Sequence, residues 1–247
     1  MNSDVVIRFD HVTKIFGNVR VLDDVSFDVL RGQAFCILGR SGAGKSVTLR
    51  QMIGLMPPDS GRIFVQGENV GELDSEGLNR IRKQVGFLFQ YSALFDSISV
   101  EENVAFPLRR HTRLSPTEIH AKVGDLLGQV GLERHRDKMP SEISGGMRKR
   151  VGLARAMALD PSILLVDEPS SGLDPITSQE IDELLLGLRR RGTTIVVVTH
   201  NIPSARRIGD RLAFLHEGRI LDIGTPEQLE NSRQELVQRF MSVEGGT

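Results

Sequence analysis

Gly39-Arg40-Ser41-Gly42-Ala43-Gly44-Lys45-Ser46 matches G-x-x-x-x-G-K-[ST] at every fixed position. The apolar run Ala34-Phe35-Cys36-Ile37-Leu38 precedes it and reads as a buried strand; Val47 to Leu55 follows and reads as a helix. Those flanks give the letters a physical meaning. Glycines let consecutive backbone N–H groups converge on a polyphosphate, a nest that side chains would obstruct. The helix that follows turns its positive end toward the same anion. Residues Gly39 to Val47 are therefore expected to cradle the phosphates. The Lys45 ammonium would reach the β- and γ-phosphates and the Ser46 hydroxyl would take a place on Mg²⁺. The stretch predicts a nucleoside triphosphate site.

The composition permits a large α/β domain and excludes several alternatives. The 247 residues carry 39% hydrophobic and 26% charged residues, ordinary proportions for a globular protein with an ample core. A net charge of −1 gives no electrostatic reason to expect a nucleic-acid partner. Cys36, the single cysteine, rules out an internal disulfide and sits in the first buried strand as a small core residue. No apolar run approaches the roughly 18 residues that a membrane helix needs. Met1-Asn2-Ser3-Asp4 has neither a basic nor an apolar leader region. The expectation is a cytosolic chain that reaches a membrane only through a partner.

Along the chain, Val5-Ile7-Phe9, Val21 and Val25-Phe27-Val29 alternate as strands about a turn at Gly17-Asn18. Pro57-Pro58-Asp59-Ser60-Gly61 stops the first helix, Ile63-Phe64-Val65 forms a further strand, and Glu76 to Lys83 forms a short polar helix. Val85 to Phe89 is a buried strand ending at Gln90. From Leu94 to His135 the pattern is helical. Ser115-Pro116-Thr117-Glu118 is a capping box, with Ile119, Val123, Leu126, Leu127 and Val130 at helical spacing after it. Three more strand-like runs follow, Ile163–Val166, Ile195–Val198 and Leu212–Leu215, separated by helices with start signals at Asp174-Pro175 and Thr225-Pro226. Strands alternating with helices predict a mostly parallel sheet covered on both faces, with an antiparallel N-terminal region and a helix-only insertion between Gln90 and Ile163. The chain reads as a single domain over 1–247. Its core is about 1–90 and 160–230, its helical part about 91–159, and its helical tail about 231–247, frayed at Glu244-Gly245-Gly246-Thr247.

In open α/β sheets, ligands sit at the carboxyl ends of the strands. Ile163–Val166 runs into Asp167-Glu168, and Asp167 lies 122 residues after Lys45. Asp167 is placed to hold Mg²⁺ and Glu168, one residue on, to orient and polarise the attacking water. Thr199-His200 ends another strand, pointing His200 at the γ-phosphate, and Gln90 ends a fourth, within reach of Mg²⁺ or the water. Ser144-Gly145-Gly146-Met147 opens a helix running from Arg148 through Leu159 and makes a second anion site. One nucleotide already has its loop. Two such sites in one chain are explained by a dimer in which each Ser144 helix caps the nucleotide held by the other chain.

These motifs, in this order, together with Leu164-Leu165-Val166-Asp167-Glu168-Pro169 and Ser171-Gly172-Leu173-Asp174, resemble the nucleotide-binding subunit of an ABC transporter across residues 5 to about 230. The resemblance implies a P-loop ATPase fold, ATP and Mg²⁺ as ligands, and turnover supported by Lys45, Gln90, Glu168 and His200. It also implies a second copy and a membrane permease as partners. Phe16 would stack on the adenine, and Asp174 would couple the two sites of the dimer. Three positions depart from the family pattern. Met147 stands where the signature usually has glutamine, Val47 where a hydroxyl is common, and Ser171 where alanine is common.

Within that family, Gln90-Tyr91-Ser92-Ala93-Leu94-Phe95-Asp96-Ser97 through Glu102-Asn103-Val104-Ala105-Phe106-Pro107-Leu108 is similar to the ATPases of Mla/Mce phospholipid-trafficking systems. Ser144-Gly145-Gly146-Met147-Arg148-Lys149-Arg150 and Val237-Gln238-Arg239-Phe240 support the same likeness. It implies phospholipid transport at the cytoplasmic face of the inner membrane, beside an Mce-domain lipid-binding subunit. A permease helix would dock on Leu94, Phe95, Val100 and Phe106, the apolar residues clustered after Gln90. The alternative is an importer of a small solute such as an amino acid. An ABC ATPase acting on DNA or ribosomes would need coiled coils or a second cassette, for which the 122-residue spacing leaves no room. A GTPase would carry N-K-x-D, which is absent from the sequence.

Overall fold

The computed structural model describes residues 4–242. The tail at Glu244–Thr247 and the residues before Asp4 lie outside it. Two sheets face each other across a common core. The smaller is antiparallel, with β1 (Val5–Phe16), β2 (Val19–Leu30), β4 (Ser60–Val65) and β5 (Glu68–Asn69) in the order β2-β1-β4-β5. The larger holds β3 (Ala34–Leu38), β6 (Val85–Leu88), β7 (Ile163–Asp167), β8 (Thr194–Thr199), β9 (Arg211–His216) and β10 (Arg219–Gly224) in the order β10-β9-β3-β8-β7-β6. All its pairings are parallel except β9 with β10.

β3, β7 and β8 carry apolar runs, Ala34–Leu38, Ile163–Val166 and Ile195–Val198, because both faces of these strands are covered, and every residue in the strands is buried. On one face Phe9, Phe27 and Phe35 stack with centroids 4.6 and 5.2 Å apart and tie the two sheets together. On the other face pack α6 (Pro175–Arg190), α7 (Ile202–Ile208) and α9 (Glu235–Ser242).

α1 (Lys45–Met52) follows β3, and α2 (Ser75–Gln84) precedes β6. The helical insertion consists of α3 (Val100–His111), α4 (Pro116–Gln129) and α5 (Gly145–Met157), with a separate core around Val104, Leu127 and Val151. Reciprocal Ser99/Glu102 and Ser115/Glu118 capping boxes start α3 and α4. A short helix, α8 (Pro226–Glu230), closes the sheet edge.

Some boundaries differ from the sequence reading. α1 begins at Lys45, not Val47, because the last glycine of the loop already serves as its N-cap. α5 begins at Gly145, not Arg148, because Ser144 caps it. The β10 edge strand carries Arg219 and Asp222 among its apolar residues and follows a tight turn at Glu217-Gly218, both in the left-handed region (φ 46° and 78°). Its mixed character hid it in a search for buried runs.

Candidate functional site

The parallel strand order sets the carboxyl ends of β3, β8, β7 and β6 side by side. The Gly39–Ser46 loop, Thr199-His200, Asp167-Glu168 and Gln90 therefore share one rim. The loop's path leaves no room for larger residues. A Cβ at Gly39 would lie 2.3 Å from the Leu215 carbonyl oxygen of β9, and one at Gly44 (φ 103°) would lie 2.8 Å from the Val21 carbonyl oxygen of β2. Of the loop residues, Arg40, Ser41 and Gly42 are exposed and Ala43, Ser46 and Val47 half-buried.

Lys45 is buried. Its Nζ donates to the carbonyls of Gly39 (2.9 Å) and Arg40 (3.1 Å) and pairs with Glu168 Oε1 at 3.2 Å. The ammonium is thus held inside the curve of its own loop. Thr48, one residue after Val47, is buried and donates its hydroxyl to the Gly44 carbonyl (3.2 Å), so it does not replace the hydroxyl absent at Val47.

Ser46 Oγ donates to Asp167 Oδ1 at 2.9 Å. Burial pushes the Asp167 carboxyl above its ordinary pKa, against the opposing pull of the Ser46 hydrogen bond. A buried carboxylate beside a hydroxyl, with the half-buried Gln90 just past the end of the neighbouring edge strand, is an all-oxygen donor set of the kind Mg²⁺ takes. Among the described residues no group of three or more His, Cys, Asp or Glu side chains converges as a metal cage. The residues fit Mg²⁺: Ser46, Asp167 and Gln90 would hold it, and when bound it would neutralise polyphosphate charge.

Glu168 is the most constrained side chain of the rim. Its backbone is left-handed (φ 46°), a costly state for a residue with a Cβ. Its N–H donates to the Val198 carbonyl (2.9 Å). Its carboxylate is buried between two partners, Lys45 on Oε1 and the Nδ1 of His200, 2.9 Å from Oε2. The His200 N–H adds a longer bond to Oε2 (3.3 Å). With Nδ1 turned to Glu168, the opposite edge of the half-exposed imidazole is left for a ligand.

The Ser144–Met147 turn, expected as a second anion site, opens α5. The exposed Ser144 accepts the Met147 N–H (3.2 Å), Gly145 is exposed, Gly146 buried and Met147 half-buried against the helical core. Asp174 caps α6 in the same way, accepting from the Thr177 N–H (3.0 Å) and Thr177 hydroxyl (2.6 Å), which together hold its carboxyl below the usual range. The two turns touch: a Cβ at Gly146 would lie 2.4 Å from Thr177 Cγ2.

The family model described as "ABC transporter" matches residues 22–171. This chain is an ABC transporter ATP-binding subunit. The "Probable ribonucleotide transport ATP-binding protein mkl" of Mycobacterium leprae is 42% identical over 98% of this chain and 70% of its own. The "Methionine import ATP-binding protein MetN" of Caulobacter vibrioides is 41% identical over 91% of this chain and 68% of its own. The chloroplastic "Protein TRIGALACTOSYLDIACYLGLYCEROL 3" of Arabidopsis thaliana is 38% identical over 97% and 74%. Among solved structures, a dimeric ATP-binding cassette in a post-hydrolysis state with ADP and Pi superposes with a TM-score of 0.82 at 33% identity, covering 89% of this chain and 98% of that one. As a member of this family the subunit hydrolyses ATP with Mg²⁺.

Two further parts of the ABC subunit lie away from the hydrolytic rim. Phe16 ends β1, is 44% exposed and has the Lys14 ammonium 5.4 Å from its ring centroid. The residues expected at the permease dock divide. Phe95 and Phe106 are exposed and pack on each other with centroids 4.8 Å apart. They line a groove with Phe87, Phe89, Arg82 and His111. Val100 does not belong there: it is the first residue of α3, fully buried in the helical core, because the Ser99 cap turns it inward. Leu94 is half-buried against the same core. No described helix is long and apolar enough to cross a membrane.

One residue of the rim was not visible in the sequence. Lys149 on α5 is buried and donates its ammonium to the backbone carbonyls of Gln90 and Glu168, the latter at 3.0 Å. Burial pushes its pKa down to about 8, with Asp167 and Glu168 pulling the other way. The available signal was a lysine on the same face of α5 as Gly152, Leu153 and Ala156, where a solvated residue is not expected.

Proposed function

We propose that this subunit powers phospholipid transport through a permease of Mla/Mce type, at the cytoplasmic face of the inner membrane, with an Mce-domain lipid-binding subunit in the same assembly. The observation that carries this reading is the Gln90–Leu108 segment, whose sequence is similar to the lipid-trafficking ATPases and whose exposed Phe95–Phe106 pair offers an apolar seat. The relative named for a trigalactosyl lipid supports it.

In this reading Glu168 takes the proton of the attacking water, and His200 and Lys45 attend the γ-phosphate. Gln90 follows the nucleotide and moves the groove lined by Phe95 and Phe106. Residues Gly39 to Val47 bind the phosphates, with Phe16 under the adenine. The turn Ser144-Gly145-Gly146-Met147 caps the nucleotide of the second copy and Asp174 couples the two sites. A permease helix bound in the groove shifts nucleotide affinity by the same free energy with which nucleotide shifts its docking.

Isolation of the tagged chain from its native membranes, followed by lipid extraction, tests the assignment. The expected result is an integral membrane protein recovered with co-extracted phospholipid. Recovery of a small-solute permease without lipid would favour the second reading, an amino-acid-type importer, for which the methionine-import relative speaks.

A further inference from the structure

We propose that Lys149 is a positioning residue for ATP hydrolysis: its ammonium ties the backbone of Glu168 to that of Gln90, so that both ride on the helix whose N-terminal turn, one turn before Lys149, caps the partner's nucleotide. The inference rests on the roles proposed above for Glu168 and Gln90.

The strained peptide at Glu168 is the first argument. A left-handed residue with a full side chain persists only where its surroundings fix it. The Glu168 N–H is fixed by β8 through the Val198 carbonyl, and its carbonyl by Lys149 Nζ at 3.0 Å, with a longer bond from the Ser171 N–H at 3.2 Å. Among the described residues the only charged group on that carbonyl is the ammonium, and charge-assisted hydrogen bonds are about twice as strong as neutral ones.

The second argument is where the ammonium comes from. Lys149, Gly152 and Arg155 recur at helical spacing on one face of α5, and all three grip the segment that leaves β6. Lys149 holds the Gln90 carbonyl. Gly152 lets the helix approach so closely that a Cβ would lie 2.9 Å from Leu88 Cδ1 and 3.1 Å from Ser92 Cβ. Arg155 donates to the carbonyls of Ser92 (2.6 Å) and Ala93 (2.9 Å), two consecutive left-handed residues (φ 61° and 46°). A segment this strained and this firmly held moves with α5. Through Lys149 the same helix also reaches the hydrolytic carboxylate's backbone.

The third argument is cost. Burying an ammonium with carbonyl partners alone is unfavourable compared with an apolar side chain of the same length. Lys149 makes no ion pair within 4 Å among the described residues. A purely structural position would be better filled by methionine.

The test is steady-state ATPase kinetics and fluorescent-ATP binding on the full chain carrying K149M, K149R or K149Q, with E168Q in parallel. K149M should lower kcat by about 10- to 100-fold, the penalty of a misplaced catalytic group, while KM and ATP affinity stay within about twofold. K149R, which restores charged donors, should be faster than K149M. K149Q, a neutral donor, should fall between K149M and wild type and carries the prediction if K149M does not fold. Turnover of K149M or K149Q at the wild-type rate, or a loss confined to KM, would overturn the inference. If E168Q itself keeps wild-type turnover, the underlying assignment of Glu168 fails instead.

Discussion

At the scale of single residues, the account turns on how Glu168 is held. A carboxylate placed between an ammonium and an imidazole is fixed in direction, and the Asp167 carboxylate beside it is engaged by Ser46. Replacing Glu168 by glutamine preserves shape and removes the proton acceptor. E168Q is expected to bind ATP as wild type does and to lose about 10²–10⁴-fold in turnover, measured as phosphate release at saturating ATP. A rate within threefold of wild type would mean that another group accepts the proton. Most of this arrangement was legible in the sequence because a parallel sheet converts strand ends into neighbours. Asp167, Glu168, His200 and Gln90 could be assigned to one rim without knowing a single distance. Lys149 was marked only as a lysine on an apolar helix face; its partners, backbone carbonyls 59 and 19 residues away, could not be read from the chain. Val100 erred the other way: an apolar residue in an apolar stretch can face the core or the solvent, and the Ser99 cap decides which.

At the scale of elements, α5 joins three parts of the molecule. Its N-cap presents the Ser144 turn, its middle grips the segment after β6, and its apolar face carries Val151 and Ala154 into the helical core. Gly152 is where the grip is tightest, against both Leu88 and Ser92. Gly152→Ala would favour the helix intrinsically by about 1 kcal/mol, so a stabilised protein is the outcome expected if packing were loose. The close contacts reverse the sign. G152A should destabilise by about 1–3 kcal/mol, the range for overpacking a filled core. A thermal melt should show a midpoint several degrees lower, at about 2–4 °C per kcal/mol for a chain of this size. An unchanged or raised midpoint would show that the segment after β6 yields easily, against its role as a rigid link. Element types were mostly readable from periodicity, whereas α1 and α5 starts were not, because their caps are a left-handed glycine and a serine already committed to motifs.

At the scale of the whole molecule, the proposed assembly turns two surfaces toward other chains. The groove flanked by Phe95 and Phe106 is also lined by Arg82, Lys83 and Arg155, so in the proposed assembly it would receive an apolar side chain within a cationic setting. Phe95→Asp places a carboxylate there without touching the nucleotide rim. It should leave folding and ATP binding intact and reduce recovery of the permease from membranes at least tenfold. Undiminished recovery would remove the groove as the docking site. The other surface is the pair of turns at Ser144 and Asp174, which the chain builds but which its own Gly39–Ser46 loop does not need. The central claim is that hydrolysis takes place in a site completed by a second copy. Sedimentation velocity of E168Q with Mg²⁺ and ATP, and separately with ADP, tests it most directly. The account predicts dimers with ATP and monomers with ADP. Monomers that nonetheless carry bound ATP would contradict it.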